Sequence, residues 1–275
     1  MNWKIKAIAA VFAVAAAAPA SAALSTGTTS AFGSLFVTVF DETLNRSYSR
    51  DIGILGGAFN PLVTTTFTTN GPDTNWTSYL TGGTGNDGVT TPTGSSLGNL
   101  RWNIATTNIA TNTQNSYITA LAGTTTGITN AGEGNLAGNI NNFTGNLNSG
   151  PAGCGAAGSK VSCFTNQAGA NYNGSFTGSG EIWGRSMQYA LMDTSGLLGD
   201  QLSFYSILRN GSGLTNNPKP ATVSTFNGYW TFDSANAAVT WNAQVAAVPV
   251  PAAVWLLGSG LMGLVGVGRR KLTVA

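Results

Sequence analysis

The sequence predicts a mainly all-β fold: a β-sandwich-like exported domain carrying one short helix, followed by a single C-terminal transmembrane helix. Three observations lead there. Charged residues make up 8% of the chain, against about 25% in ordinary globular proteins, and threonine, asparagine and glycine take their place. Aromatic residues are nonetheless spread through the chain, Trp76, Trp102, Trp183, Trp230 and Trp241 among them, whereas disordered segments are charged and poor in aromatics. Several stretches alternate apolar and polar residues with the period of two that a half-buried strand requires, between turns rich in glycine and asparagine.

The elements follow in order. Residues 35–40 form the clearest strand, with Phe36, Thr38 and Phe40 on one face and Leu35, Val37 and Val39 on the other. Both faces are largely apolar, which places this strand in the interior of a sheet or between layers. Residues 47–55 make a second strand, and 62–68 alternate threonine with apolar residues. Residues 70–96, dense in Gly, Thr, Asn and Pro, read as loop. Residues 100–105 form a strand around Trp102, 202–208 alternate strictly, and a hairpin of 228–232 and 238–245 turns through Asp233-Ser234-Ala235-Asn236. One segment departs from this pattern. Leu136, Ile140, Phe143 and Leu147 recur at helical spacing and predict a short helix, its length limited by Gly138 and Gly145.

Both ends read as addresses. Residues 1–22 have the plan of a secretory signal peptide: Lys4 and Lys6, an apolar core over 7–18, then Ala20-Ser21-Ala22 with cleavage between Ala22 and Ala23. Residues 248–275 begin with Val248-Pro249-Val250-Pro251-Ala252, two prolines that hold the chain extended and solvated. An uncharged run over 252–268 follows, 17 residues long, at the lower limit for crossing hydrocarbon. Arg269, Arg270 and Lys271 then act as a membrane stop in the tail 269–275 and orient the C-terminus to the cytoplasm. On the residues alone, an ordinary single-span anchor fits this segment as well as a processing signal does. Between the two ends lies an exported domain, 23–247, with seven basic and ten acidic residues, a net charge of −3. The net +2 of the whole chain thus comes from its ends, and no basic patch favours nucleic acid.

The absence of histidine rules out Ser-His-Asp and Cys-His catalysis and histidine-ligated metals. Gly94-Ser95-Ser96-Leu97-Gly98 has nucleophile-elbow spacing but no base. A two-carboxylate glycosidase stays open, drawing on Asp41, Glu42, Asp51, Asp73, Asp87, Glu133, Glu181, Asp193, Asp200 and Asp233, and nothing in the sequence pairs any two. Gly82-Gly83-Thr84-Gly85-Asn86-Asp87-Gly88-Val89-Thr90 fits one copy of a calcium-binding nonapeptide. With no second copy to stack on, it reads as a loop, with calcium at Asp87 the competing reading. Cys154 and Cys163, the two cysteines, flank a loop rich in small residues in an exported chain and predict a disulfide. No cofactor or metal is expected.

The C-terminal segment resembles a PEP-CTERM sorting signal in its Val-Pro-Leu-Pro-Ala form, with Val250 where that form has leucine. Gly258-Ser259-Gly260-Leu261-Met262-Gly263 and the Arg-Arg-Lys stop are similar to the same family. The resemblance implies secretion followed by processing by an exosortase, a membrane thiol enzyme that cuts near the proline motif and itself supplies the catalytic residues. It also implies a Gram-negative source that makes exopolysaccharide and biofilm matrix. Residues 33–41, 47–53 and 100–105, with the closing Trp230-Thr231-Phe232-Asp233 and Val239-Thr240-Trp241, look like other proteins bearing such signals; this implies a shared β-rich fold and no activity. The expected function is a non-enzymatic surface or matrix protein, with the exosortase, the secretion machinery and exopolysaccharide as partners. A carbohydrate-binding module with exposed Trp and Tyr, and a glycan-active enzyme, are the competing expectations.

Overall fold

The structure, a computed structural model, describes residues 24–69, 71–110, 114–121, 127–149, 162–166, 186–187, 190–211, 219–244, 256–257 and 259–262. The chain divides into two compact units, Met1–Ala243 and Gln244–Ala275. The first unit is mainly β. In chain order its strands are β1 (Ser34–Asp41), β2 (Arg46–Leu55), β3 (Thr65–Phe67), β4 (Gly83–Thr84), β5 (Thr90–Thr91), β6 (Leu100–Thr107), β7 (Asn115–Ala120), β8 (Ser162–Thr165), β9 (Ser186–Met187), β10 (Ala190–Asp193), β11 (Gly196–Leu197), β12 (Leu202–Leu208), β13 (Thr222–Asp233) and β14 (Ala238–Ala243). Its helices are α1 (Thr74–Thr81) and α2 (Asn130–Ser149).

Ten strands form one antiparallel sheet in the order β3-β14-β13-β12-β7-β6-β1-β2-β8, with β11 paired beside β6. β1 is buried along its whole length, between β2 and β6. Its two apolar faces explain this, because each meets a separate core. Phe36 lies with Ala105, Ile118 and Ile207 beneath α2, while Leu35, Val37 and Val39 face an aromatic core with Trp102, Phe204, Trp230 and Trp241.

The expected pair of facing sheets is replaced, among the described residues, by one ten-stranded sheet that curls over its own aromatic face, with β4–β5 and β9–β10 as separate two-stranded pairs. Irregular pairing helps it bend: register shifts occur in β1–β2 after Ser34 and between β12 and β13 near Ser203 and Tyr205, and such bulges increase local twist. The curl brings strands from opposite ends of the order together. Arg50 of β2 donates to the carbonyl of Phe67 in β3 at 3.1 Å. Phe59, on the segment before β3, fills the middle with its ring 5.6 Å from Trp230 and 5.3 Å from both Phe204 and Trp241. Gly228 sits where a Cβ would strike the Trp241 ring, so the close strand approach there requires glycine.

α1 falls inside the segment expected to be loop. Its Thr- and Asn-rich sequence has little helix propensity, but Asp73 caps it by accepting from the Trp76 amide at 3.0 Å. Trp76 and Tyr79, three apart, share one helical face and are buried. The Trp76 ring packs 5.0 Å from Tyr48 of β2 and 5.5 Å from Phe232 of β13, and its Nε1 donates to the Ser234 carbonyl at 2.8 Å. The helix thus closes one end of the curl.

α2 carries the predicted stripe. Leu136, Ile140, Phe143 and Leu147 are all buried against the other face of the sheet, with Phe143 stacked 6.1 Å from Phe36. At 20 residues it is longer than the expected short helix, because tertiary burial of one face outweighs the cost of its glycines. β7 and the short strands β4, β5, β8, β9, β10 and β11 are not among the expected strands, and the strand expected over 62–68 shortens to β3. Position 245 of the closing hairpin lies outside the described residues.

Of the expected membrane helix over 252–268, residues 256–257 and 259–262 are described; they are helical, with Leu256, Leu257, Leu261 and Met262 exposed. No helix among the described residues is long and apolar enough to cross a membrane.

Candidate functional site

The residues expected from the sequence to carry function lie in the tail and at the signal cleavage point. Val248, Pro249, Val250, Pro251 and Ala252, the stop Arg269, Arg270 and Lys271, and the cleavage pair Ala22 and Ala23 all lie outside the described residues. Leu24, the next residue, is buried in the core beneath α2, and its carbonyl accepts from Asn148 Nδ2 at 2.7 Å. Cys163 of β8 is disulfide-bonded; Cys154 lies outside the described residues.

Most of the described carboxylates hold local structural roles. Asp41 Oδ1 accepts from the amides of Thr43 and Leu44 in the β1–β2 turn, at 2.9 and 3.0 Å. Asp233 Oδ1 accepts from the Ala235 amide at 2.9 Å in the β13–β14 turn. Asp51 holds the Ser34 hydroxyl at 2.9 Å and the Gly53 amide at 2.7 Å, and burial raises its pKa. Asp200 accepts from the Leu197 amide at 2.7 Å. Asp73 caps α1 and also receives the hydroxyls of Tyr48 at 2.6 Å and Ser162 at 2.9 Å. Burial, reinforced by the Asp73 charge, pushes the Tyr48 phenol well above its ordinary value. Glu42 is exposed in the β1–β2 turn, Glu181 lies outside the described residues, and Asp193 ends β10. Among the described residues no cluster of three His, Cys, Asp or Glu could hold a metal.

The nonapeptide over 82–90 is the β4–β5 hairpin, and it has a structural role. Asn86 pairs with Phe164 of β8 as a strand would: its amide donates to the Phe164 carbonyl at 2.8 Å and its Oδ1 accepts from the Phe164 amide at 3.0 Å. Asp87 accepts from the amides of Asn166 at 2.8 Å and Val89 at 3.1 Å. The motif therefore covers the β8 edge of the sheet, where unpaired backbone would invite strand addition. The elbow-like 94–98 packs on α1: a Cβ on Gly94 would strike the Leu80 carbonyl, and the Ser95 amide donates to the Tyr79 carbonyl at 3.2 Å.

The unusual electrostatics lie at the start of α2. Glu133, in its first turn, is fully buried. Its Oε1 accepts from the Ser116 hydroxyl at 3.0 Å, while Oε2 has no hydrogen-bond partner. Burial pushes the Glu133 carboxyl up to about 8, against the Ser116 hydrogen bond and the charge of Arg209, which pull it down. Arg209 is buried with its Nη1 on Gln114 Oε1 at 3.3 Å. This cluster can store a proton, but Ser116 and Glu133 are both sealed from solvent, so it offers no face to a substrate. Nothing in the sequence marked it beyond a glutamate one helical turn before the apolar stripe.

Trp76, Trp102, Trp230 and Trp241 are buried, so none presents an indole to a sugar; Trp183 lies outside the described residues. No family model matches the chain, and comparison with curated proteins and with solved structures finds no match either.

Proposed function

We propose that this chain is a non-enzymatic surface or matrix protein of a Gram-negative bacterium, exported by the general secretory route and processed by an exosortase. Residues 252–268 hold it in the inner membrane with the C-terminus inside until the segment near Pro251 is cut. The observation that carries this reading is the order of the tail: a two-proline motif, an uncharged run, then Arg269-Arg270-Lys271. The fold supports it. Among the described residues, Leu24, just past the signal cleavage pair, is packed in the core, and β14 ends at Ala243, before Val248. A cut near Pro251 therefore leaves every described strand of the sheet on one side. The non-enzymatic part is supported by the dispersal of the described carboxylates into turns, caps and a buried helix start.

Fractionation of cells expressing wild type and the Pro249→Ala/Pro251→Ala variant tests it. The wild type leaves the inner membrane, and the variant accumulates there at full length. A variant that leaves the membrane as the wild type does would contradict the reading.

A further inference from the structure

We propose that the sheet face opposite the aromatic core, across β12, β13, β14 and β3, binds a neutral polysaccharide through Tyr229. This extends the proposed function by naming the class of matrix polymer and the residues that meet it. Register places six uncharged polar residues in two adjacent rungs. One rung runs Ser203, Tyr229, Asn242; the next runs Thr231, Thr240, Thr66. Thr66 is exposed and the other five are half-buried. Strands lie about 4.8 Å apart and alternate residues about 6.6 Å apart along each strand, a grid of the dimensions of a sugar ring.

Tyr229 is the exceptional member. Tyr48, Tyr79 and Tyr117 pack on other aromatic rings, and Tyr205 is buried in the core beneath α2. Among the described residues the Tyr229 ring packs on no other aromatic ring and its hydroxyl makes no hydrogen bond. An aromatic ring with a polar tip suits a surface whose body is apolar and whose rim is wet, which describes a pyranose with its C–H face and peripheral hydroxyls. Donors and acceptors surround it. Asn242 Nδ2 donates to Thr231 Oγ1 at 3.2 Å, and its Oδ1 accepts nothing among the described residues. The Thr66 and Thr240 hydroxyls lie 2.9 Å apart. Amides and hydroxyls both donate and accept, as sugar hydroxyls do. An anionic polymer would call for Arg or Lys, and the rungs hold neither. A protein partner would call for an apolar centre, and the rungs offer one ring among polar groups.

The test is affinity electrophoresis of the full chain in detergent, through gels cast with hydroxyethylcellulose, dextran, galactomannan or alginate. Retardation by at least one neutral polymer and not by alginate is expected. Tyr229→Ala weakens it about tenfold with an unchanged melting temperature, Tyr229→Phe keeps most of it, and Thr66→Lys on the exposed end of the rung also weakens it. The proposal is overturned if no neutral polymer retards the chain, if alginate retards it more, or if Tyr229→Ala binds as wild type does. It is equally overturned if the face proves to join two copies, seen as a dimer that Tyr229→Ala dissociates. Retardation with an uncut tail would break the sorting reading alone; a cut tail without retardation would break this one alone.

Discussion

Glu133 occupies a position that a carboxylate tolerates best with its proton on. Folded, its pKa is raised to about 8 from 4.5; unfolded, it ionises near the lower value. Between these two pH values the folded chain holds a proton that the unfolded chain has released, so stability falls as pH rises through the window. The contribution is greatest below about pH 4.5 and fully lost above about pH 8, a span of order a few kcal/mol. Urea melts from pH 5 to 9 are expected to show this decline for wild type and a flatter profile for Glu133→Gln; parallel profiles would remove the buried proton from the account. None of this was legible in the sequence, where Glu133 was one of ten scattered acids. Burial by α2 and the contacts with Ser116 and Arg209 are long-range facts. The Asp41 and Asp233 turns were closer to legible, since an aspartate ending a strand and bonding amides two residues on is local chemistry.

At the scale of elements, α2 was readable because its stripe depends on spacing alone. α1 was hidden by its composition: threonine and asparagine signal turns, while the cap at Asp73 and the pair Trp76 and Tyr79 carry the helical information. Asp73 joins α1, β2 and β8, because it accepts from Trp76, Tyr48 and Ser162. Asp73→Ala removes the cap and leaves the buried Tyr48 hydroxyl without its acceptor, an expected cost of about 2–4 kcal/mol. Asp73→Asn, which keeps an acceptor for the Trp76 amide, is expected to cost less. Equal losses for the two in denaturant melts would show that the charge, and not the cap, matters. β1 was read correctly as interior because two apolar faces leave no alternative, and the strict alternation over 202–208 matched β12 to the residue.

For the whole molecule, the long strands other than β7 were legible, the short strands β4, β5 and β8 to β11 were not, and neither was the arrangement. Apolar and polar residues in alternation suit a sandwich, whereas two apolar faces, as on β1, suit a sheet that curls over aromatic side chains on one face and carries a helix on the other. Pairing order and curl rest on contacts such as Arg50 with Phe67, which no local pattern encodes. The same curl takes four of the tryptophans inside, so function falls to a surface that lacks those four indoles. The central claim is that this surface belongs to an exported unit separated from its tail. Intact mass of the protein from a wild-type host and from one lacking its exosortase tests that claim most directly. A new C-terminus near Pro251, found only in the wild-type host, is the predicted result. A tail of identical, uncut mass in both hosts would contradict it and leave a plain membrane anchor.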